Sequence, residues 1–334
     1  MGRFIRTISV VLIAFGLIVG SLTGATGATA QDEDKPTVTI GSKDFTESIL
    51  LAEMAAALLE DNGYTVERQL NLGGTAVVHQ ALVNGEIDMY VEYTGTGLLA
   101  ILGRDLPETD ATPEAGAAPE EGATPAVSEE AAYTGCLGAV YDIVAEEYPE
   151  QFQVEWLQPW GFNNTYALAV TQETAEEYGL ETVSDLEGVA GELTFGATQE
   201  FLVRPDGLPG LEEHYGIDFG DERGLDPGLL YEAVDQGQVD VISAFATDGR
   251  IPALDLVVLE DDQNFFPPYC AAPVVRQDLL EESPEVRDIL NQLAGQIDDE
   301  TMADLNFQID EGGTEPSEVA QNFLEEQGLI GGDS

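Results

Sequence analysis

The sequence predicts an α/β fold that is built from two successive sets of strands and helices. Short runs of β-branched and aromatic residues alternate with longer segments in which apolar residues recur at helical spacing. Strands and helices that alternate over such distances favour parallel layers. The chain of 334 residues is also long enough for two lobes of ordinary domain size.

The first set begins with a short buried strand at residues 37–40. Asp44 or Thr46 can cap the helix that follows, and Gly63 ends it. Residues 64–70 alternate like a strand, residues 75–83 predict a second helix, and residues 87–93 predict the next strand. From 104 to 130 the chain contains Pro, Ala, Gly, Thr and Glu and almost no large apolar residue. That composition predicts an acidic, low-complexity insertion that cannot bury a core.

The second set follows a helix that is expected from about residue 137 to residue 148. Its predicted strands cover residues 166–170, 193–196 and 239–245, and a helix covers residues 229–234. A return strand is expected at 271–275, and helices near 284–297 and 315–327 finish the chain.

Residues 1–30 have the order of a secretory signal peptide. Arg3 and Arg6 precede an apolar run at 10–19, and the small residues Ala28-Thr29-Ala30 follow it. The run is short for a membrane span, so we expect cleavage after Ala30, with an uncleaved anchor as the alternative. No cysteine for lipid attachment follows the run. The protein is therefore expected to be exported, in the periplasm or another extracytoplasmic position.

The net charge is extreme, because 64 acidic residues stand against 11 basic ones and give a formal value of −53. The negative electrostatic field of such a chain excludes nucleic acid, which is also negatively charged, as a partner. Acidic clusters of this kind are typical of a solvated surface, and a salty environment would screen their mutual repulsion.

Cys136 and Cys270 are the two cysteines of the chain. In an exported protein such a pair favours a disulfide, with two buried thiols as the alternative. The bridge would close a loop of about 135 residues and stabilise the fold by at most about 5 kcal/mol.

Two phrases 50 residues apart carry groups that suit the two ends of a small zwitterion. They are Gly-Ser-Lys-Asp-Phe-Thr-Glu at 41–47 and Glu-Tyr-Thr-Gly-Thr at 92–96, and further phrases follow at 162–166, 195–207, 245–249 and 265–269. This series resembles the substrate-binding proteins of osmoprotectant transporters of the ATP-binding-cassette (ABC) type. Those proteins capture glycine betaine, choline or related compounds, and the likeness runs from about residue 38 to about residue 329.

The resemblance implies a two-lobed periplasmic-binding-protein fold (type II) with the ligand cleft between the lobes. Lobe 1 would comprise residues 37–160 and lobe 2 residues 161–268. Residues 269–330 would return to lobe 1.

The resemblance also implies an aromatic box for a quaternary ammonium group, made of Tyr93, Tyr166, Phe245 and Tyr269. A trimethylammonium group cannot donate ordinary hydrogen bonds, whereas ring faces attract its charge and cover its methyl groups. Related proteins can have tyrosine at the position of Phe245. Phenylalanine keeps the ring face of tyrosine but lacks its hydroxyl.

By the same resemblance, Lys43, Thr96 and Arg204 would hold the ligand's carboxylate. Arginine binds a carboxylate through two parallel hydrogen bonds, which makes it suited to this task. Asn164 would contribute a contact at the cation end.

Signals for other chemistry are weak. Residues 95–100 match a loose dinucleotide fingerprint, but no complete βαβ unit follows. The two histidines, His79 and His214, have no metal-ligand spacing, and no motif orients a nucleophile. We therefore expect no catalytic residue, no metal and no cofactor.

The sequence thus predicts a monomeric substrate-binding protein that captures glycine betaine or a related quaternary ammonium osmolyte and delivers it to an ABC permease in the membrane. A choline-selective protein, an osmolyte-sensing module and an exported enzyme that acts on a small acid or amine are the alternatives.

Overall fold

The structure is a computed structural model, and it describes residues 35–107 and 135–331. The predicted signal peptide and most of the predicted insertion lie outside these residues. At the edge of the insertion, Arg104 forms an ion pair with Glu147 at 3.0 Å. In the part of the chain that the structure describes, no helix combines the length and the apolar character that crossing a bilayer requires.

Within the described residues, the strands form two mixed sheets of five strands each. They are β1 (Thr37–Gly41), β2 (Thr65–Gln69), β3 (Met89–Tyr93), β4 (Val154–Trp156), β5 (Tyr166–Val170), β6 (Thr194–Ala197), β7 (Asp221–Gly224), β8 (Val241–Phe245), β9 (Val257–Leu259) and β10 (Ala271–Arg276). The first sheet has the order β2-β1-β3-β10-β4, and the second has the order β7-β6-β8-β5-β9.

The α-helices cover the faces of these sheets. They are α1 (Thr46–Asp61), α2 (Thr75–Asn84), α3 (Thr94–Thr96), α4 (Ala139–Phe152), α5 (Gln172–Tyr178), α6 (Leu208–Tyr215), α7 (Pro227–Asp235), α8 (Arg250–Ala253), α9 (Gln277–Glu282), α10 (Glu285–Leu290), α11 (Asp299–Asp310) and α12 (Pro316–Glu326). Gly97–Ile101 forms a π-helical turn, and Val183–Leu186, Ala190–Glu192 and Asn291–Leu293 are 3₁₀ turns.

The α/β fold class is confirmed, but the predicted parallel layering holds only in part, because both sheets are mixed. Strand β1 runs parallel to β2 and β3, whereas β10 runs antiparallel to β3 and β4. In the second sheet β6 runs parallel to β7 and β8, whereas β5 runs antiparallel to β8 and β9. The antiparallel strands are those through which the chain enters the second sheet and returns to the first.

The predicted cap of α1 is also wrong. Phe45 occupies the N-cap position and makes no side-chain cap hydrogen bond. The Thr46 hydroxyl instead donates to Asp310 Oδ1 at 2.6 Å, which ties the start of α1 to the end of α11. This bond matches the packing of the first sheet, whose core extends through α1 to apolar residues of α11 and α12.

The two sheets share one local motif that leads into their central strands. Asn-Gly-Glu-Ile-Asp at 84–88 precedes β3, and Gln-Gly-Gln-Val-Asp at 236–240 precedes β8. The glycine has a positive φ in both, of 73° and 66°, which other residues rarely adopt. The aspartate carboxylates accept the N–H of Thr39 and of Thr194, each at 2.7 Å. Two similar short sequences therefore fix the register of the two central strands in the same way.

Candidate functional site

A cavity of about 230 Å³ is lined by residues that follow or precede strands of both sheets. All eight residues that the sequence analysis selected as ligand contacts line it. They are Lys43, Tyr93, Thr96, Asn164, Tyr166, Arg204, Phe245 and Tyr269.

Strand ends bring these residues together. Lys43 follows β1, Tyr93 ends β3 and Thr96 ends α3, all on the side of the first sheet. Tyr166 begins β5 and is paired in register with Phe245 at the end of β8. Because the ends of neighbouring strands meet at one edge of a sheet, each sheet offers a row of side chains to the same cavity.

The aromatic residues form a continuous series of ring contacts. The Tyr166 ring lies 5.4 Å from that of Phe245 and 5.3 Å from that of Tyr269, centre to centre. Phe45, which the sequence analysis did not select, stacks on Phe245 at 5.5 Å with an interplanar angle of 7°. It also lies 6.0 Å from Tyr93, so it joins the rings of the first sheet to those of the second.

Lys43 has an acidic partner within the protein. Its ammonium lies 2.5 Å from Glu92 Oε1, and both side chains are buried. The same carboxylate accepts the hydroxyl of Tyr90 at 3.0 Å and the backbone N–H of Tyr93 at 2.7 Å. The Lys43 charge at the cavity wall is therefore already compensated.

Arg204 connects the two sides of the cavity. Its Nη2 donates to Thr96 Oγ1 at 3.2 Å, and its Nε donates to Asp206 Oδ1 at 2.8 Å. Asp206 also accepts the hydroxyl of Tyr269 at 2.7 Å. A buried network thus runs from the end of α3, through the guanidinium and Asp206, to one of the aromatic rings.

Glu47 is a buried carboxylate behind the aromatic wall. It accepts four hydrogen bonds of 2.5 to 3.0 Å, from the hydroxyls of Tyr93 and Thr247 and from the side-chain amides of Asn164 and Asn306. Burial raises the pKa of this carboxyl, and the four donors offset part of that increase. Glu47 holds two cavity residues, Tyr93 and Asn164, in fixed orientations.

Cys136 and Cys270 are joined by a disulfide, with their Cα atoms 5.6 Å apart. Cys270 follows Tyr269 directly, and its backbone exchanges hydrogen bonds with Thr94 at 3.0 and 3.1 Å. The disulfide connects the backbone beside the Tyr269 ring to the segment that precedes α4, and the two hydrogen bonds connect it to α3.

Three residues at or beside the site were not predicted from the sequence. Phe45 and Glu47 stand in the phrase at 41–47, next to the selected Lys43. Glu200 lines the cavity three residues after the end of β6, in a stretch whose only signal is its proximity to Arg204 in the sequence. In the described residues, no group of three or more His, Cys, Asp or Glu side chains is arranged to hold a metal ion.

The model of one protein family matches residues 36–326, which is most of the chain. Its description is the substrate-binding domain of the ABC-type glycine betaine transport system. The chain belongs to this family. The resemblance to binding proteins of osmoprotectant transporters is thereby confirmed.

Individual members of the family show how closely the chain matches. It is 36% identical over 335 residues to the carnitine transport binding protein OpuCC of Listeria monocytogenes, covering 99% of this chain and 98% of the relative. It is 34% identical over 341 residues to a glycine-betaine-binding protein of Pseudomonas aeruginosa, covering 99% and 96%. The crystal structure of a glycine betaine/carnitine/choline ABC transporter protein superimposes with a TM-score of 0.65 at 33% identity, covering 87% of this chain and 99% of that one.

These matches also confirm the predicted fold class, a two-lobed periplasmic-binding-protein fold of α/β type. The family's members are substrate-binding proteins of ABC importers, which work outside the cytoplasm.

Proposed function

We propose that this protein captures a quaternary ammonium osmolyte, glycine betaine or a close relative, and delivers it to an ABC permease. The aromatic cavity is the observation that carries the proposal. Each ring face contributes about 0.5–2 kcal/mol to binding a cation. The four rings of the predicted box together supply about 2–8 kcal/mol, whereas a Kd of 1 μM requires about 8 kcal/mol. Tight capture therefore needs polar contacts and closure as well.

The polar contacts would come from Thr96, Lys43 and Arg204 at the other end of the ligand. Thr96 and Lys43 lie on the side of the first sheet, and Arg204 lies on the side of the second. A ligand that touches both sides binds the closed form more tightly than an open one, so it shifts the population towards closure. The permease would then recognise the closed, loaded protein, and no covalent chemistry is involved.

The division into lobes at residues 161 and 269 is part of this proposal. The membership of the sheets supports it, because β1 to β4 and β10 form one sheet and β5 to β9 form the other. Closure would bend the two connections between β4 and β5 and between β9 and β10. An exported, monomeric protein with a cleaved signal peptide completes the proposal.

Choline is the second candidate ligand, and the acidic partners of the two cations favour it. Glu92 compensates Lys43, and Asp206 compensates Arg204, so neither cation offers a free positive charge. Choline carries the ammonium group but no carboxylate, and it needs no such charge.

Calorimetric titration of residues 31–334 with glycine betaine and, separately, with choline tests the proposal. Tight binding of either compound supports the proposed function, and the ratio of the two affinities identifies the preferred ligand. If the folded protein binds neither compound nor carnitine, the proposed function is wrong.

A further inference from the structure

Glu200 brings a third carboxylate into the polar end of the cavity. Its side chain retains 31% exposure, and Arg204 Nη1 lies 3.2 Å from its Oε1. Its Oε2 accepts the backbone N–H of Thr75 at 3.3 Å. Thr75 is the first residue of α2, which belongs to the first-sheet side, whereas Glu200 follows β6 of the second sheet. The carboxylate therefore bridges the two sides of the cleft.

The surroundings of Glu200 fit an anion at this position. Gly74 has no side chain, and a Cβ added there would lie 2.8 Å from Glu200 Oε2, so the close approach depends on the glycine. Burial raises the pKa of Glu200, but the charges of Lys43 and Arg204 and the bond from Thr75 outweigh it and leave that pKa lowered. Glu200 therefore stays ionised at neutral pH.

The charge balance at this end of the cavity depends on Glu200. Lys43 is paired with Glu92, and Arg204 is paired with Asp206. The two positive and two negative charges of these groups cancel. Glu200 therefore adds one net negative charge at the place where a ligand carboxylate would have to bind. Like charges at such short range repel each other strongly in a partly buried site.

We propose that Glu200 is a specificity-determining residue, which occupies the place between Arg204 and α2 that a ligand carboxylate would take. A zwitterionic ligand such as glycine betaine must displace it, whereas a cation without a carboxylate binds beside it and gains its attraction. This inference rests on the proposed function, because it concerns the selectivity of the same cavity.

The test compares the wild-type protein with Glu200→Gln, which keeps the shape of the side chain and removes its charge. Each is titrated calorimetrically with glycine betaine and with choline at fixed salt. We expect the affinity for glycine betaine to rise about tenfold and that for choline to fall about threefold. The matched control is Glu213→Gln, which removes the same charge from an exposed position of α6 on the second-sheet side. It should leave both affinities within about twofold, because the solvent screens a distant surface charge.

Opposite changes for the two ligands support the inference, since a residue that merely supports the fold would weaken both together. Parallel changes, or no change in the ratio of the two affinities, overturn it and leave the proposed function intact. A wild-type protein that binds neither ligand removes the proposed function and this inference with it. If Glu200→Gln does not fold, the pair Glu200→Asp and Glu200→Asn repeats the comparison, because these two variants differ only in charge.

Discussion

Replacement of Glu47 by glutamine tests the buried network behind the aromatic wall. The carboxylate accepts four hydrogen bonds, two on each oxygen. The glutamine amide has almost the same shape but offers one acceptor oxygen, and its NH₂ group faces two donors. Each buried donor that loses its acceptor costs about 1–3 kcal/mol. The Thr247 hydroxyl can rotate and accept instead, which leaves the Asn306 amide as the one donor without an acceptor. We therefore expect a total loss of about 1–3 kcal/mol in the free energy of unfolding.

Urea unfolding followed by tryptophan fluorescence measures this loss, because Trp156 and Trp160 are both buried. The midpoint should fall while the slope with denaturant stays constant, which shows that stability and not compactness has changed. The exposed Glu213→Gln variant serves as the control and should lose less than about 0.5 kcal/mol. A loss below about 1 kcal/mol for Glu47→Gln would refute the reasoning, since it would mean that the four hydrogen bonds contribute almost nothing.

The electrostatic environment of Glu47 is tested by the pH dependence of the difference in unfolding free energy between the wild type and Glu47→Gln. Burial raises its pKa in the folded protein above the ordinary value of 4.5. A raised pKa means that Glu47 stabilises the fold fully below its unfolded pKa and loses that contribution as pH rises through the folded pKa. The difference in stability between wild type and Glu47→Gln should therefore be largest at acid pH and shrink as pH rises. A difference that grows with pH would show that the four donors outweigh burial.

Three further predictions concern the site. Reduction of the Cys136–Cys270 disulfide should lower the free energy of unfolding by up to about 5 kcal/mol, which a melting curve with and without reductant measures. An unchanged melting temperature contradicts it. Phe245→Leu should weaken quaternary ammonium binding by about 0.5–2 kcal/mol in calorimetry, with no loss if the ring does not face the ligand. Arg204→Met should cost about 3–5 kcal/mol of stability, because Asp206 stays buried without its partner. Adding Asp206→Asn to Arg204→Met should recover much of the lost stability. Strictly additive losses in the double variant would contradict the pairing of Arg204 with Asp206.

Local sequence patterns predicted most of the strands that form the two sheets, and β5 was predicted with its exact bounds. They missed β4 and β9, which have only three residues each, and β7, whose residues Asp221–Gly224 are polar and exposed at a sheet edge. The antiparallel direction of β10 was also missed. Strand direction depends on the path of the whole chain, whereas periodicity records only which faces are buried.

The residues of the candidate site were predicted from the resemblance to a family of binding proteins, which the order of several short segments along the chain carries. Pairing between distant residues has no such signal. Nothing in the sequence indicates that Lys43 contacts Glu92, 49 residues away, or that Glu200 reaches the first turn of α2. Charge compensation is a property of the folded site, so the balance that bears on ligand choice emerged only from the structure.

The most direct test of the central claim compares a quaternary ammonium ligand with its neutral carbon analogue. Choline and dimethylbutanol have nearly the same shape and differ in the positive charge. Calorimetric titration of the folded protein should give an affinity for choline at least about tenfold higher, because several ring faces attract the charge. The preference should shrink in Tyr269→Leu, which removes one ring. Equal affinities for the two compounds would contradict the account, since the cavity would then bind shape without recognising a cation.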